Sequence, residues 1–71
     1  MITHERREIL EALERLSELA PDLRFAQMVA NLSYLALGPT AEAVWDVEDE
    51  QLLVALRGLI ANLSNRGQEV A

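Results

Sequence analysis

The sequence predicts an all-α protein, a compact three-helix bundle with helices over residues 4–19, 23–37 and 49–65. Three observations lead to this fold class. Apolar residues recur at helical spacing in each stretch, residues that cap or end helices stand at the boundaries, and the 71-residue chain is 51% hydrophobic. A chain of this size is expected to form one domain, residues 1–71, with a small core that self-association would help to stabilise.

The first helix has clear signals at both ends. Thr3 is expected to cap its N-terminus, and Pro21 is expected to end it because the proline ring disfavours a helical conformation at Ala20. Its buried face is predicted to comprise Ile9, Leu10, Leu13, Leu16, Leu19 and Ala20.

The second helix is predicted to begin after an Asp22 cap and to end at Gly38 and Pro39. Apolar residues cover two of its sides, so we expect it to be the central helix of the bundle. The broader apolar side is predicted to comprise Phe25, Met28, Val29, Leu32, Leu35 and Ala36. The other side carries the smaller set Ala26, Ala30 and Leu37.

The connector over residues 38–48 is predicted to be irregular and partly extended. After a short turn at Thr40, β-branched and aromatic residues alternate with an acid, which is typical of extended backbone. We expect Val44, Trp45 and Val47 to close one end of the core. The alternative for Trp45 is an exposed anchor at an interface.

The third helix is predicted to open with Glu48, Asp49 and Glu50, because carboxylates interact favourably with a helix N-terminus. Gly67 is expected to end it, and roughly the last five residues are expected to fray. Gly58 lies in the middle of this helix, where glycine is unfavourable. Either another backbone approaches closely there or the helix simply tolerates the glycine, and we expect the helix to tolerate it. The buried stripe is predicted to comprise Leu52, Leu53, Leu56, Leu59, Ile60 and Leu63.

Composition argues against several classes of function. The formal net charge is −6, and an acidic surface repels phosphate backbones, so no nucleic-acid partner is expected. The chain has no cysteine and no lysine, which excludes disulfides, a cysteine nucleophile and a Schiff base. No apolar run reaches the roughly 18 residues that span a bilayer. We therefore expect a cytoplasmic protein without a membrane contact.

The residue types that perform catalysis or bind metals are not arranged for either purpose. The acidic run at residues 46–50 lacks the alternating ligands and central glycine of a calcium loop. We interpret it as helix N-terminal charge on a solvated face, with a divalent-cation site as the alternative. His4 stands at a helix end without a nucleophile, and no serine has a base at a recognisable spacing. We expect no catalytic residue, no bound metal, no cofactor and no enzymatic activity.

One candidate site remains, a polar stripe along the second helix. Arg24, Gln27, Asn31 and Tyr34 recur at helical spacing within an otherwise apolar stretch. Polar side chains in such a position either hold the helix to a neighbouring segment or bind a ligand.

Two interpretations of this stripe stay open. The one we favour is a structural seam, in which Arg24 pairs with Asp46 or Asp49 and the two amides satisfy the backbone of residues 44–47. The other is a pocket for a small polar or anionic ligand. Its residues would be Arg24, Gln27, Asn31, Asp46 and Asp49.

The stretches LRFAQMVANL and VWDVEDEQLL resemble a family of small uncharacterised bacterial helical proteins. The family pattern is R-x-[GA]-Q-x-x-x-N followed by an acidic D-x-x-D-E-x-L, and the likeness covers about residues 21–56. Arg24, Gln27 and Asn31 occupy the first motif, and Ala26 stands where we expect glycine. The resemblance implies a compact helical domain and implies no activity.

Two functions are compatible with these features. The preferred hypothesis is a non-enzymatic interaction or accessory module that binds protein, including a second copy of itself through Ala26, Ala30 and Leu37. The alternative is the ligand pocket on the polar stripe and the acidic connector.

Overall fold

The computed structural model describes residues 1–69, with side chains for residues 1–65. This part of the chain is all-helical, as predicted, and contains no strand. It has four helices rather than three, because a short helix forms within the predicted connector. The helices are α1 His4–Leu19, α2 Phe25–Leu37, α3 Ala43–Asp46 and α4 Asp49–Glu69.

Helix α1 has the predicted bounds because its end signals are local. The Thr3 Oγ1 accepts a hydrogen bond from the backbone N–H of Arg6 at 3.1 Å, which satisfies one of the free donors of the first turn. At the other end, the N–H of Ala20 donates to the carbonyl of Leu16 at 2.9 Å.

Helix α2 begins two residues later than predicted, and its N-cap is Arg24 rather than Asp22. The N–H of Leu23 donates to the carbonyl of Ala20 at 3.2 Å, so a turn occupies the positions where the first helical residues were expected. The predicted end is confirmed. Gly38 adopts a φ of 109°, which L side chains rarely adopt, and its N–H donates to the carbonyl of Tyr34 at 2.7 Å.

The prediction of a partly extended connector is wrong over Ala43–Asp46, which forms α3. The N–H groups of Trp45 and Asp46 donate to the carbonyl of Glu42, and the N–H of Val47 donates to that of Ala43, all within 2.9–3.0 Å. A strand would have left these donors without partners, whereas a helical turn satisfies them locally. Val47 alone keeps the extended conformation at the end of this turn.

Helix α4 begins within the predicted acidic run. The Gln51 side-chain oxygen accepts a hydrogen bond from the N–H of Glu48, the residue before the helix, at 2.9 Å, which is one half of a capping box. The prediction that Gly67 ends the helix is wrong, because α4 continues to Glu69. The fraying predicted for the last residues falls partly on Val70 and Ala71, which lie outside the described residues.

The core is small and centres on α4, which packs against both α1 and α2, while α2 also packs against α3. The prediction that α2 is the central helix is therefore wrong. Helix α4 is the longest helix, and its leucines meet apolar side chains from both neighbours. The buried apolar residues are Ile9, Leu16, Met28, Leu32, Ala43, Leu53, Ala55 and Leu56.

Several side chains that were predicted to be buried lie on the surface. Trp45 is 87% exposed, so it does not close the core; the buried residue of α3 is Ala43. Leu10, Phe25 and Leu35 are 53–61% exposed although their spacing matches the buried faces of α1 and α2. The neighbours of α1 and α2 cover only part of the apolar face of each helix, so the rest of that face stays in water.

Candidate functional site

Helix α2 presents the predicted polar stripe to solvent. Arg24, Gln27 and Asn31 are exposed, and Tyr34 is 38% exposed at the far end of the same face. Buried residues on the opposite face of α2 hold the helix against α4, which fixes the direction of the stripe. All four side chains are therefore accessible to solvent.

The predicted seam between this stripe and the connector does not form. Within residues 1–65, the amides of Gln27 and Asn31 make no hydrogen bond to the backbone of residues 44–47. The reason is that α3 satisfies its own backbone groups through local bonds. The stripe is left with hydrogen-bonding capacity that faces water.

The acids proposed as partners of Arg24 are placed differently from the prediction. Asp49 accepts from the Nη2 of Arg6 at 3.0 Å and from its Nε at 3.3 Å, so it joins α4 to α1. Asp46 is exposed at the end of α3 and has no ion-pair partner within residues 1–65. The five residues of the proposed ligand pocket are thus not joined into one hydrogen-bonded site.

A set of polar contacts between α1 and α4 was not predicted from the sequence. Besides the pair of Arg6 with Asp49, the Nη2 of Arg57 lies 3.0 Å from the Oε2 of Glu8, whose other oxygen lies 3.2 Å from the Nε2 of His4. The partners on α1 and α4 are more than 40 positions apart in the chain, so no local pattern predicts them. Because all of these groups are substantially exposed, each ion pair contributes no more than about 1 kcal/mol.

Two depressions flank α4. One, of about 360 Å³, lies between α1 and α4 and includes the polar contacts of Glu8 and Arg57. The other, which we call the α2–α4 groove, has a volume of about 340 Å³ and is more apolar. It is lined by Leu35, Ala36, Glu50, Gln51, Val54 and Ala55.

The α2–α4 groove was also not predicted. Leu35 was predicted to be buried, but it is 61% exposed beside the groove. Val54 was not assigned to any face, and it is 66% exposed there. The signal that could have indicated it is Val54, an apolar residue outside the predicted buried stripe of its helix.

The described residues contain no cluster that could hold a metal ion. Among residues 1–65, no three histidine, aspartate or glutamate side chains lie close enough together to bind one ion. The hydroxyls of Ser17 and Ser33 donate to the carbonyls of Leu13 and Val29 in their own helices, at 2.9 Å in both cases. In these positions the two hydroxyls bond within their own helices rather than to a general base.

No helix in the described part of the chain is long and apolar enough to cross a membrane. Comparison with protein-family models, with curated proteins and with solved structures found no match. The resemblance of residues 21–56 to a bacterial family therefore stays a prediction, and the candidate surfaces must be interpreted from their own chemistry.

Proposed function

We propose that this protein is a non-enzymatic interaction module that associates with a second copy of itself. The observation that carries the proposal is that a protein with a small core leaves apolar side chains in water, including Ala26 and Leu37 on the small-residue side of α2. Within residues 1–65 only eight apolar residues are buried, while Leu10, Phe25, Leu35, Trp45 and Val54 are each more than half exposed. Exposed apolar surface on this scale in so small a protein favours association.

The face we propose for self-association is the small-residue side of α2. Ala26 is exposed, Ala30 is half-buried and Leu37 is 39% exposed, so a second helix can reach all three. Alanine side chains allow two helix backbones to approach closely, and a two-fold pair uses the same face of each copy. Gln27 and Asn31 border this face and supply hydrogen bonds at its edge.

Light scattering across a range of protein concentrations tests this proposal. We expect the mean molar mass to rise from one chain towards two as concentration increases. A charge placed on the face, Ala26→Glu, should keep the protein monomeric at every concentration, because two buried carboxylates would oppose each other. The matched control is Ala61→Glu, on the exposed side of α4, which should associate as the wild type does.

A wild-type protein that stays monomeric throughout, without a co-purifying partner, would contradict the proposal. So would an equal effect of the Ala26 and Ala61 substitutions, since general charge repulsion would then explain the loss of association.

The ligand pocket receives less support from the structure. Neither depression beside α4 is lined by any of its five proposed residues, and Arg6 already engages one of them, Asp49. The exposed amides of Gln27 and Asn31 suit the edge of a protein interface at least as well as they suit a ligand pocket. Self-association therefore remains the function we propose.

A further inference from the structure

The α2–α4 groove is a surface that the proposed self-association does not use. Its most enclosed side chains are Ala36 and the buried Ala55, and Leu35 and Val54 are exposed beside them. With a volume of about 340 Å³, the groove can accept apolar side chains from another helix. This is the shape that binds one apolar face of an amphipathic helix.

The charge of the chain around the groove indicates the charge that a partner should carry. Residues 25–56, which form α2, α3 and the first part of α4, contain no basic residue. They carry five acids, whereas the rest of the chain is almost balanced between acids and arginines. These acids are Glu42, Asp46, Glu48, Asp49 and Glu50.

Most of this negative charge is available to a partner. Within residues 1–65 only Asp49 of the five acids forms an ion pair, with Arg6. Glu50 lines the groove itself, Asp46 is the last residue of α3, and Glu42 and Glu48 directly precede α3 and α4. A partner that places lysine or arginine along this edge would therefore gain favourable electrostatic interactions.

Trp45 adds an exposed anchor on α3, in the segment that joins the end of α2 to the start of α4. Its side chain is 87% exposed on α3, with Glu42 one helical turn before it and Asp46 directly after it. An exposed indole next to carboxylates suits a cationic side chain, which stacks on the ring while the acids compensate its charge. Tryptophan and arginine are also the residues enriched at the energetic centres of interfaces.

A second copy of this chain is a poor occupant of the groove. Two of its arginines, Arg6 and Arg57, are already engaged by Asp49 and Glu8, and a two-fold contact would bring like-charged segments together. We propose that the α2–α4 groove and Trp45 bind a basic amphipathic helix of a different protein. This inference rests on the proposed function as an interaction module and names a partner class for a face that self-association leaves free.

The test uses the full chain and a designed peptide. The peptide is a helix of about 18 residues with leucine along one face, lysine and arginine elsewhere, and no aromatic residue. Trp45 is the only tryptophan, so its own fluorescence reports on the proposed surface. We expect a shift of its emission to shorter wavelength on titration, and saturable binding of the labelled peptide by anisotropy.

Two matched pairs of variants connect the binding to this surface. Val54→Gln should weaken binding about tenfold or more, whereas Leu10→Gln should not, because Leu10 is a 53% exposed apolar residue on α1, away from the groove. Glu50→Gln should weaken binding and flatten its dependence on salt, whereas Glu14→Gln on α1 should not. A peptide with glutamate in place of its basic residues should not bind.

The outcomes separate this inference from the proposed function. Equal binding of the acidic peptide, or equal weakening by the Val54 and Leu10 substitutions, overturns the inference. So does a tryptophan shift that follows protein concentration alone and disappears in Val54→Gln, because a second copy would then occupy the groove. Self-association that persists without any peptide binding leaves the proposed function standing, and peptide binding by a strict monomer contradicts only the self-association.

Discussion

Gly38 and Gly58 form a pair in which the same substitution should have opposite effects. An added Cβ would meet no atom of another segment within 4 Å at either position in the described part of the chain, so packing does not distinguish them. They differ in backbone conformation. Gly58 lies in the interior of α4, whereas Gly38 ends α2 with a φ of 109°.

The magnitudes follow from this difference. At Gly58, alanine removes the conformational penalty of a glycine inside a helix and should stabilise the protein by about 0.5–1 kcal/mol. At Gly38, alanine must adopt a conformation that is nearly restricted to glycine, which should cost about 1–3 kcal/mol. In a domain of this size, 1 kcal/mol corresponds to a change in Tm of about 4–8 °C.

Thermal and urea unfolding of both variants, at one protein concentration, provide the assay. The concentration is held constant because association stabilises the folded state. We expect Gly58→Ala to raise the Tm and Gly38→Ala to lower it, with the urea dependence unchanged in both. A decrease in stability for Gly58→Ala would show that another part of the chain approaches α4 there, and would refute the reasoning.

Two further predictions concern the core and its polar border. Leu56 is fully buried between helices, so Leu56→Ala should destabilise the protein by about 2–5 kcal/mol in urea unfolding, whereas Leu10→Ala, at an exposed site, should change it by about 0.5 kcal/mol or less. Similar losses of unfolding free energy for Leu56→Ala and Leu10→Ala would contradict the assigned core. Asp49→Asn removes the ion pair with Arg6 and should cost about 1 kcal/mol or less at low salt, with the difference shrinking at high salt. A larger loss that does not depend on salt would show that Asp49 has another structural role.

The parts of the fold that could be predicted from the sequence are those with local causes. Thr3 and Pro21 delimit α1 through neighbouring backbone groups, and Gly38 ends α2 through its own conformational freedom. The bounds of α1 and the end of α2 were predicted correctly for that reason. The prediction that no other backbone approaches Gly58 is confirmed for the described residues, which leave open space around it.

The errors arose where several parts of the chain interact. Val44 and Trp45 favour extended backbone by propensity, but no strand was there to pair with them, so hydrogen bonding within the segment formed a helical turn instead. The pairing of Asp49 with Arg6 depends on how α1 packs on α4, which no spacing along the chain reveals. The Gln27 and Asn31 amides were assigned to a seam because the backbone of residues 44–47 was expected to be extended and to need their hydrogen bonds, which α3 makes locally instead.

Cross-linking of single-cysteine variants tests the central claim most directly. The chain has no cysteine, so Ala30→Cys places one thiol near the middle of α2, where two copies of the proposed face would meet. A disulfide requires Cα atoms within about 7 Å, so it reports direct contact between the two helices. Under mild oxidation we predict that Ala30→Cys forms covalent dimers much faster than Ala61→Cys on α4. Equal rates for the two variants would contradict self-association through α2.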